Sequence, residues 1–173
     1  MSLNFVPDFR FEKFDTATAD FLSSLGIKGI ILDIDNTLEP YENPEPGERV
    51  LAWLKSLDDV GIKYAIVSNN DKERVEIFNK NLKMPAYFKA GKPFKKKILK
   101  AMKDIGTNKD NTVFMGDQIF TDVWGAHNAK IPAILLPPIK DKRDPLTRFK
   151  RVLEKPFLKI YDKRILKNRK ESK

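Results

Sequence analysis

Hydrophobic residues are arranged along the chain in two patterns that alternate. The first is a short apolar run that ends in a polar residue or a proline, as in buried strands of parallel sheets. The second repeats apolar residues every three or four positions, as in amphipathic helices. The predicted strands span 29–33, 64–68, 112–117 and 132–136. The predicted helices span 16–25, 49–60, 71–81, 96–105 and 120–129.

The alternation of strands and helices predicts an α/β protein. Helices that connect parallel strands cover both faces of their sheet, so we expect a doubly wound, Rossmann-like three-layer sandwich with a mainly parallel sheet. A chain of 173 residues is long enough for one well-buried domain and short for two. We therefore expect a single domain over residues 1–173, in which residues 139–173 form a basic, helical C-terminal segment.

Residues with turn and cap preferences refine this picture. Asp15 or Thr16 can cap the start of the first helix, and Gly26 suits its end. The prolines within residues 36–47 exclude a continuous helix or a central strand, so this stretch should form a loop at the lip of the sheet. Pro156 is expected to break or kink the C-terminal helix.

The composition excludes several kinds of chemistry. The chain has no cysteine and one histidine, His127, which excludes a thiol nucleophile, a disulfide framework, a Cys/His zinc site and a paired-histidine mechanism. We expect His127 to be a packing or surface residue. The first residues lack the order of a signal peptide, and no apolar run is long enough to span a bilayer. The expected location is the cytoplasm.

The formal net charge of +9 is unevenly distributed. Residues 1–138 contain 19 basic and 19 acidic residues, whereas residues 139–173 contain 14 and 5. The C-terminal segment can pack an apolar stripe on the core, attract an anionic surface, or do both with opposite faces. The basic residues that would attract such a surface are Arg143, Arg148, Lys150, Arg151, Lys155, Lys159, Lys163 and Arg164.

Carboxylates follow two of the predicted strands. Asp33 and Asp35 end the first strand, while Asp117 ends the strand that begins at residue 112 and Asp122 follows five residues later. Carboxyl ends of parallel strands meet at one edge of a sheet, so these groups are expected to converge. A hard cation with oxygen ligands, most naturally Mg²⁺, would relieve their repulsion.

Such a group of residues suits phosphoryl transfer. One carboxylate can attack phosphorus and form an acyl phosphate. A second, two residues on, can protonate the leaving oxygen and then accept a proton from water. Ser68 and Asn69 end another strand and can reach the same edge. A calcium-binding loop is excluded, because Leu38 and Pro44 stand where that loop needs glycine and glutamate.

Four short motifs occur in order along the chain. They are Asp33-Ile34-Asp35-Asn36-Thr37-Leu38, Val67-Ser68-Asn69-Asn70, Lys92-Pro93 and Gly116-Asp117-Gln118-Ile119-Phe120-Thr121-Asp122. They resemble the four motifs of haloacid-dehalogenase (HAD) phosphatases of subfamily IIIA. In the residues of these motifs and in their spacing, the chain resembles the YqeG-type group, which is related to the mitochondrial phosphatidylglycerophosphatases. The resemblance runs from about Gly29 to the region of Arg148.

The resemblance implies roles for the four carboxylates. Asp33 would be the nucleophile and a ligand of Mg²⁺. Asp35 would be the general acid and base, and would bind the metal through its backbone carbonyl. Asp117 would be a further ligand, and Asp122 would complete the metal site.

The resemblance also implies how the phosphate is held. Ser68 and the backbone around Asn69 would bind phosphoryl oxygens, and Lys92 would balance the charge of the phosphate and of the nucleophile. Many members of the family carry an inserted cap, but the intervals 33–68 and 68–92 leave no room for one. A capless, open site indicates a substrate much larger than its phosphate, or closure by another surface.

The expected function is therefore magnesium-dependent hydrolysis of a phosphomonoester through an aspartyl phosphate. The resemblance and the basic segment favour phosphatidylglycerophosphate, hydrolysed by a cytoplasmic protein that is peripheral on the inner face of the membrane. One alternative is a phosphatase for a soluble sugar or nucleotide phosphate or for a nucleic-acid end. Another is a protein that binds ribosomal or other RNA through its basic segment. The oligomeric state is open.

Overall fold

The computed structural model describes residues 3–140 and 145–171, with side chains described over 4–140 and 152–168. The strands are β1 (Phe9–Arg10), β2 (Gly29–Leu32), β3 (Lys63–Val67), β4 (Ala86–Tyr87), β5 (Thr112–Gly116) and β6 (Ala133–Leu135). The helices are α1 (Ala19–Ser24), α2 (Glu48–Asp59), α3 (Lys72–Asn79), α4 (Lys96–Asp104), α5 (Trp124–Asn128) and α6 (Pro145–Glu171). All strand pairs are parallel, in the order β1-β6-β5-β2-β3-β4.

The central strand β2 supplies side chains to two separate cores, because successive residues of a strand point to opposite faces. Ile30 and Leu32 pack in the core that α1, α2 and α3 cover. Ile31 packs in the core that α4 and α5 cover, and Phe157 of α6 lies against that second core. The three-layer α/β sandwich predicted from the hydrophobic pattern is confirmed.

The order of the strands creates a crevice between β2 and β5. From β2 the chain runs outward through β3 and β4, and α4 then brings it back to β5 on the other side of β2. Such a reversal leaves an opening at the carboxyl ends of the two central strands, where α/β proteins bind ligands. Asp33 directly follows β2, and Asp117 directly follows β5.

The N-terminal segment differs from the prediction in two ways. Helix α1 begins at Ala19 and is capped by Thr18, whose hydroxyl accepts a hydrogen bond from the Phe21 amide at 3.2 Å. The prediction of Asp15 or Thr16 as the cap is therefore wrong. Asp15 lies in a 3-10 turn, and its carboxylate instead accepts from the Arg49 guanidinium. The two-residue strand β1, which pairs with β6, was not predicted.

Of the two outcomes predicted for Pro156, a break or a kink, the break does not occur, because helix α6 is continuous through this residue. The hydrogen bond that Pro156 cannot donate would go to the carbonyl of Val152, and Val152 is exposed to water. Helix α6 is anchored by the buried carboxylate of Glu154, which accepts from the Ile119 amide at 2.9 Å. The exposed side chains of α6 include Lys155, Lys159, Lys163 and Arg164. Arg143 and the side chains of Arg148, Lys150 and Arg151 lie outside the described residues.

Aromatic residues attach the N-terminal segment to the rest of the fold. Phe5 packs against Phe120 and Phe157, with ring centroids 5.6 and 5.2 Å away. Phe14 packs edge-on against Trp53. Among the described residues, no helix combines the length and the apolar character that crossing a membrane requires.

His127 forms a second attachment of the N-terminal segment. Its Nε2 lies 2.9 Å from a carboxylate oxygen of Asp8, which also accepts from the Ala133 amide, and its Nδ1 lies 2.8 Å from the carbonyl of Asn4. Burial opposes the charged imidazole, but the bonds to Asp8 and Asn4 raise the pKa of His127 above its ordinary value. Burial likewise opposes the charged carboxylate, but His127 and the Ala133 amide lower the pKa of Asp8.

These shifts predict a pH-dependent stability. The contribution of His127 is full below its unfolded pKa of about 6.5 and is lost as the pH rises through the higher folded value. The contribution of Asp8 is full above about pH 4 and is lost as the pH falls through its lowered pKa. We expect His127→Gln to reduce the free energy of unfolding by about 1 kcal/mol at pH 5.5 and by less at pH 8, in urea titrations. Equal losses at both values would contradict a charged pair.

Candidate active site

Three buried carboxylates meet in the crevice between β2 and β5. One oxygen from each of Asp33, Asp117 and Asp122 lies within 4.8 Å of the other two. The ammonium of Lys92 lies 2.8 Å from Asp33 and 2.7 Å from Asp122. The structure brings together these three of the four carboxylates that the sequence predicts to converge, although Asp33 and Asp122 are far apart in the chain.

The turn after β5 places the Asp122 carboxylate. One of its oxygens accepts from the amides of Asp117 and Gln118, at 3.1 and 3.0 Å. The same carboxylate occupies the space beside Gly116, where an added Cβ would lie 2.4 Å from it. The glycine of the fourth motif is therefore required by this close approach.

Asn69 positions Lys92 through a pair of hydrogen bonds. Its side-chain oxygen accepts from the Lys92 amide at 2.7 Å, and its side-chain nitrogen donates to the Lys92 carbonyl at 3.1 Å. The neighbouring Ser68 is buried, and its hydroxyl accepts from the Asn70 amide at 3.1 Å. Because the Asn69 side chain is engaged with Lys92, only the Asn69 backbone remains for the predicted contact with a phosphate.

Asp35 does not join the cluster of three carboxylates. One of its oxygens accepts from Arg74 Nε at 2.9 Å, and the other accepts from the Asn70 side chain at 2.8 Å. Arg74 is buried, and its Nη1 also donates to the carbonyl of Pro44 at 2.7 Å. This arginine thus joins Asp35 to the proline-rich loop.

The proline-rich loop over 36–47 is itself held closed. The carboxylate of Glu39 accepts from the Asn43 side chain and from the Gly47 amide, both at 2.9 Å. The chain between Asp33 and Ser68 contains only this loop, α2, β3 and their connections, and the chain between Ser68 and Lys92 contains only α3, β4 and their connections. No further folded unit is inserted in these two described intervals, as predicted.

The buried cluster changes the acidity of its members. Burial raises the pKa of Asp33 to about 6, against the lowering effect of Lys92. Burial also disfavours a charged Lys92, but the carboxylates of Asp122 and Asp33 raise the pKa of Lys92 well above its ordinary value. Lys92 therefore stays cationic and offsets part of the negative charge of the cluster.

The donor set fits a hard divalent cation. Asp33, Asp117 and Asp122 offer three oxygen ligands, and one lysine cannot neutralise three carboxylates. Oxygen ligands at this spacing are those that Mg²⁺ and similar ions prefer. Each of the three residues is buried, so the cluster is costly unless a cation balances it.

A cleft of about 390 Å³ adjoins Asp117, between the N-terminal segment, the end of β6 and α6. Its apolar walls come from Phe11, Leu135, Leu136, Pro137, Pro138 and Leu158. The charged residues Arg10, Glu12, Glu154 and Lys155 also line it.

The buried positions of two residues in this region, Arg74 and Glu154, were not predicted from the sequence. Arg74 lies on a helix with many charged neighbours, and no pattern separates it from a solvated arginine. Glu154 is one of five acidic residues in the basic segment, and no local pattern separates it from the other four. Both positions depend on packing between elements that are distant in the sequence.

Comparisons with known proteins agree with this geometry. A family model described as haloacid dehalogenase-like hydrolase matches residues 27–136. The chain is 35% identical over 154 residues to "Probable phosphatase YqeG" of Bacillus subtilis (strain 168), covering 89% of this chain and 90% of that protein.

Solved structures share the fold. A 3-deoxy-D-manno-octulosonate 8-phosphate phosphatase from Moraxella catarrhalis, in complex with a magnesium ion, a phosphate ion and KDO, superposes with a TM-score of 0.50. It is 14% identical, over 86% of this chain and 97% of that chain. An uncharacterized protein from Listeria monocytogenes serotype 4b gives a TM-score of 0.52 at 21% identity, over 69% of this chain and 85% of that one.

Proposed function

Because this chain belongs to the haloacid dehalogenase-like hydrolase family and is a phosphatase of that type, we propose that its substrate is the phosphomonoester of an anionic lipid, phosphatidylglycerophosphate. The chemistry rests on one observation, the buried cluster of Asp33, Asp117, Asp122 and Lys92. The cluster can hold a divalent cation, for which we propose Mg²⁺. When bound, this ion would polarise the phosphoryl group and offset its charge.

In the proposed reaction Asp33 is the nucleophile. Its carboxylate attacks phosphorus, and the bond from phosphorus to the leaving oxygen breaks while Asp35 gives that oxygen a proton. Asp35 then accepts a proton from the water that attacks the aspartyl phosphate, which releases inorganic phosphate and restores Asp33. Asp35 lies two residues from the nucleophile, close to the same edge of the sheet.

The remaining residues of the site would bind the phosphoryl group. Ser68 Oγ and the Asn69 backbone follow β3 and face the edge at which Asp33 lies. Lys92, already between two carboxylates, supplies a positive charge that a phosphoryl oxygen can share. Asp117 and Asp122 would be metal ligands, as would the backbone carbonyl of Asp35.

Two features support a large, amphiphilic substrate. The site is bordered by a short loop pinned by Glu39 and Arg74, with no inserted unit in the two described intervals where this family can carry one. A phosphate on a bulky molecule can therefore reach the carboxylates. The mostly apolar cleft beside Asp117 could accommodate part of such a molecule.

The test is phosphate release from phosphatidylglycerophosphate in mixed micelles, compared with its deacylated headgroup, p-nitrophenyl phosphate and common sugar phosphates. Each assay is run with Mg²⁺ and with a chelator, and Asp33→Asn serves as the blank. The lipid and its headgroup carry the same phosphomonoester and differ only in the acyl chains. We expect kcat/KM to be at least about tenfold higher for the lipid, since acyl-chain contacts add apolar burial, and to require the metal.

Equal turnover of the lipid and its deacylated headgroup would reject the lipid as the preferred substrate and leave the chemistry intact. If none of the phosphomonoesters were hydrolysed in the presence of Mg²⁺, both the lipid substrate and the phosphatase chemistry would be rejected.

A further inference from the structure

Residues 1–138 are neutral as a whole, but positive charge is concentrated in one stretch of them. Residues 89–103 contain seven lysines and no acidic residue, although residues 1–138 carry equal numbers of basic and acidic residues. This stretch starts after β4, passes through the active-site residue Lys92 and continues into α4.

Helix α4 separates this charge from its apolar residues by face. Ile98, Ala101 and Met102 are buried against the sheet. The opposite face is exposed and combines lysines with an apolar side chain. The two residues that precede the helix, Phe94 and Lys95, are exposed as well. We call this surface the α4 patch; it consists of Phe94, Lys95, Lys96, Leu99, Lys100 and Lys103.

The apolar members of the α4 patch lie open to water. Phe94 has a relative exposure of 76% and Leu99 of 41%. Among the large hydrophobic side chains that the structure describes, Phe94 is the most exposed. The other phenylalanines whose side chains the structure describes are buried or half-buried, so packing within this fold does not explain the exposure of Phe94.

The lysines of the α4 patch are available to an external anion. Within the described chain, none of Lys95, Lys96, Lys100 and Lys103 takes part in an ion pair. Asp104, the acidic residue that ends α4, accepts a hydrogen bond from the Tyr87 hydroxyl. The patch therefore presents cations that no carboxylate of the described residues neutralises.

The patch begins at the edge of the sheet that carries the active site. Phe94 is two residues from Lys92, in the loop that follows the carboxyl end of β4. The carboxyl ends of all six strands share this edge, because every strand pair is parallel. A surface in contact with Phe94 would thus lie beside the opening through which a substrate enters.

We propose that the α4 patch docks this protein on an anionic lipid bilayer, with Phe94 and Leu99 in the interface and the lysines against the headgroups. This inference rests on the proposed lipid substrate, because an enzyme for a bilayer-held headgroup has to work at the bilayer surface. Clustered lysines attract an anionic leaflet, and exposed apolar side chains beside them can enter its interfacial region. Here it places the active-site edge next to that surface.

The apolar side chains favour a bilayer over RNA as the partner. Both polyanions attract lysine, but RNA would leave Leu99 in water, and this side chain has no ring on which a base could stack. A bilayer removes both Phe94 and Leu99 from water. The α4 patch contains no arginine, which is the residue best suited to pairing with phosphates in two-point contacts.

The test is co-sedimentation of the full chain with vesicles of phosphatidylglycerol and phosphatidylcholine in equal parts, beside vesicles of phosphatidylcholine alone. One variant carries Lys96→Gln, Lys100→Gln and Lys103→Gln, and another carries Phe94→Ser. The matched control removes the same charge from α6, through Lys159→Gln, Lys163→Gln and Lys167→Gln. All variants keep the catalytic residues, so each should hydrolyse p-nitrophenyl phosphate as the wild type does.

We expect the wild type to bind the anionic vesicles. The partition constant should fall about a hundredfold in the α4 triple variant, since each lysine contributes a factor of about five. It should fall about tenfold in Phe94→Ser and less than about threefold in the α6 control, whose charges belong to a different helix. Wild-type affinity in both α4 variants, or an equal loss in the α6 control, would overturn the proposal. Binding to polyuridylate, a single-stranded RNA, is measured in parallel. A larger loss of binding to this RNA than to vesicles in the α4 triple variant would also overturn the proposal.

A short-chain phosphatidylglycerophosphate, assayed below its micelle concentration, separates the two proposals. It requires no surface, so its turnover depends on the active site alone. Absence of turnover by the wild type would reject the lipid substrate, whereas retained vesicle binding by the α4 variants would reject the docking surface.

Discussion

Replacement of Asp33 by asparagine is expected to reduce the steady-state rate of phosphate release by at least about a thousandfold on every substrate. The amide is nearly the same size as the carboxylate but is too weak a nucleophile to form the acyl phosphate. Asp33→Asn should remain folded, because Lys92 keeps its contact with Asp122 at 2.7 Å. Circular dichroism and thermal unfolding serve as the folding controls.

The outcome distinguishes a nucleophile from a mere metal ligand. A ligand can be partly replaced by raising the Mg²⁺ concentration, whereas a missing nucleophile cannot. Recovery of most of the wild-type rate by Asp33→Asn at high Mg²⁺ would contradict the proposed role.

Replacement of Arg74 by methionine is expected to impair the hydrolysis of alkyl phosphates far more than that of aryl phosphates. Arg74 holds one oxygen of Asp35 and ties it to the loop that ends near Pro44. An alkyl leaving group needs the proton that Asp35 supplies, while p-nitrophenolate leaves without one. We expect kcat/KM, which reports the first phosphoryl transfer, to fall about tenfold to a hundredfold on glycerol phosphate, and only a few-fold on p-nitrophenyl phosphate.

Asp35→Asn and Arg74→Lys are the comparison variants. Asp35→Asn should show the same dependence on the leaving group with a larger effect, about a hundredfold to a thousandfold on the alkyl ester. Arg74→Lys keeps the charge but cannot contact Asp35 and Pro44 with one planar group, so its rate should lie between those of Arg74→Met and the wild type. If Arg74→Met slowed both esters equally, Arg74 would have a structural role only.

Loss of Arg74 should also reduce stability, because the Asp35–Arg74 pair is largely buried. Removal of one partner from such a pair costs about 3–5 kcal/mol. The kinetic comparison is therefore made at a temperature at which all variants are folded, as judged by thermal unfolding.

The sheet could be predicted because its strands are unmistakable in the sequence. The strand before Asp33 and the strand before Asp117 are uninterrupted apolar runs, and both are buried on two faces. Their carboxyl ends must then meet at one edge, which predicted the convergence of the carboxylates. Strand β1 escaped prediction because two residues, Phe9 and Arg10, are too short a pattern.

Contacts between distant side chains could not be predicted in the same way. Whether Arg74 points to solvent or to Asp35 depends on how α3 packs beside the proline-rich loop, and local sequence does not encode that angle. No local pattern predicts that the Asn69 side chain binds the backbone of Lys92, 23 residues away. The α4 patch was not predicted for a different reason. Its lysines are balanced by acidic residues elsewhere, so the net charge of residues 1–138 is zero and does not reveal the patch.

The central claim is that Asp33 carries the phosphoryl group during the reaction. The most direct measurement mixes Asp35→Asn with Mg²⁺ and p-nitrophenyl phosphate, quenches the mixture with acid, and determines the intact mass of the protein. The first step needs no acid with this leaving group, but the second lacks its base, so the phosphorylated protein should accumulate. We predict a mass increase of one phosphoryl group, mapped to Asp33 by peptide fragmentation. This increase should be absent from the double variant that carries both Asp33→Asn and Asp35→Asn. Turnover with no phosphorylated protein at any time, or a phosphoryl group on another residue, would contradict the mechanism.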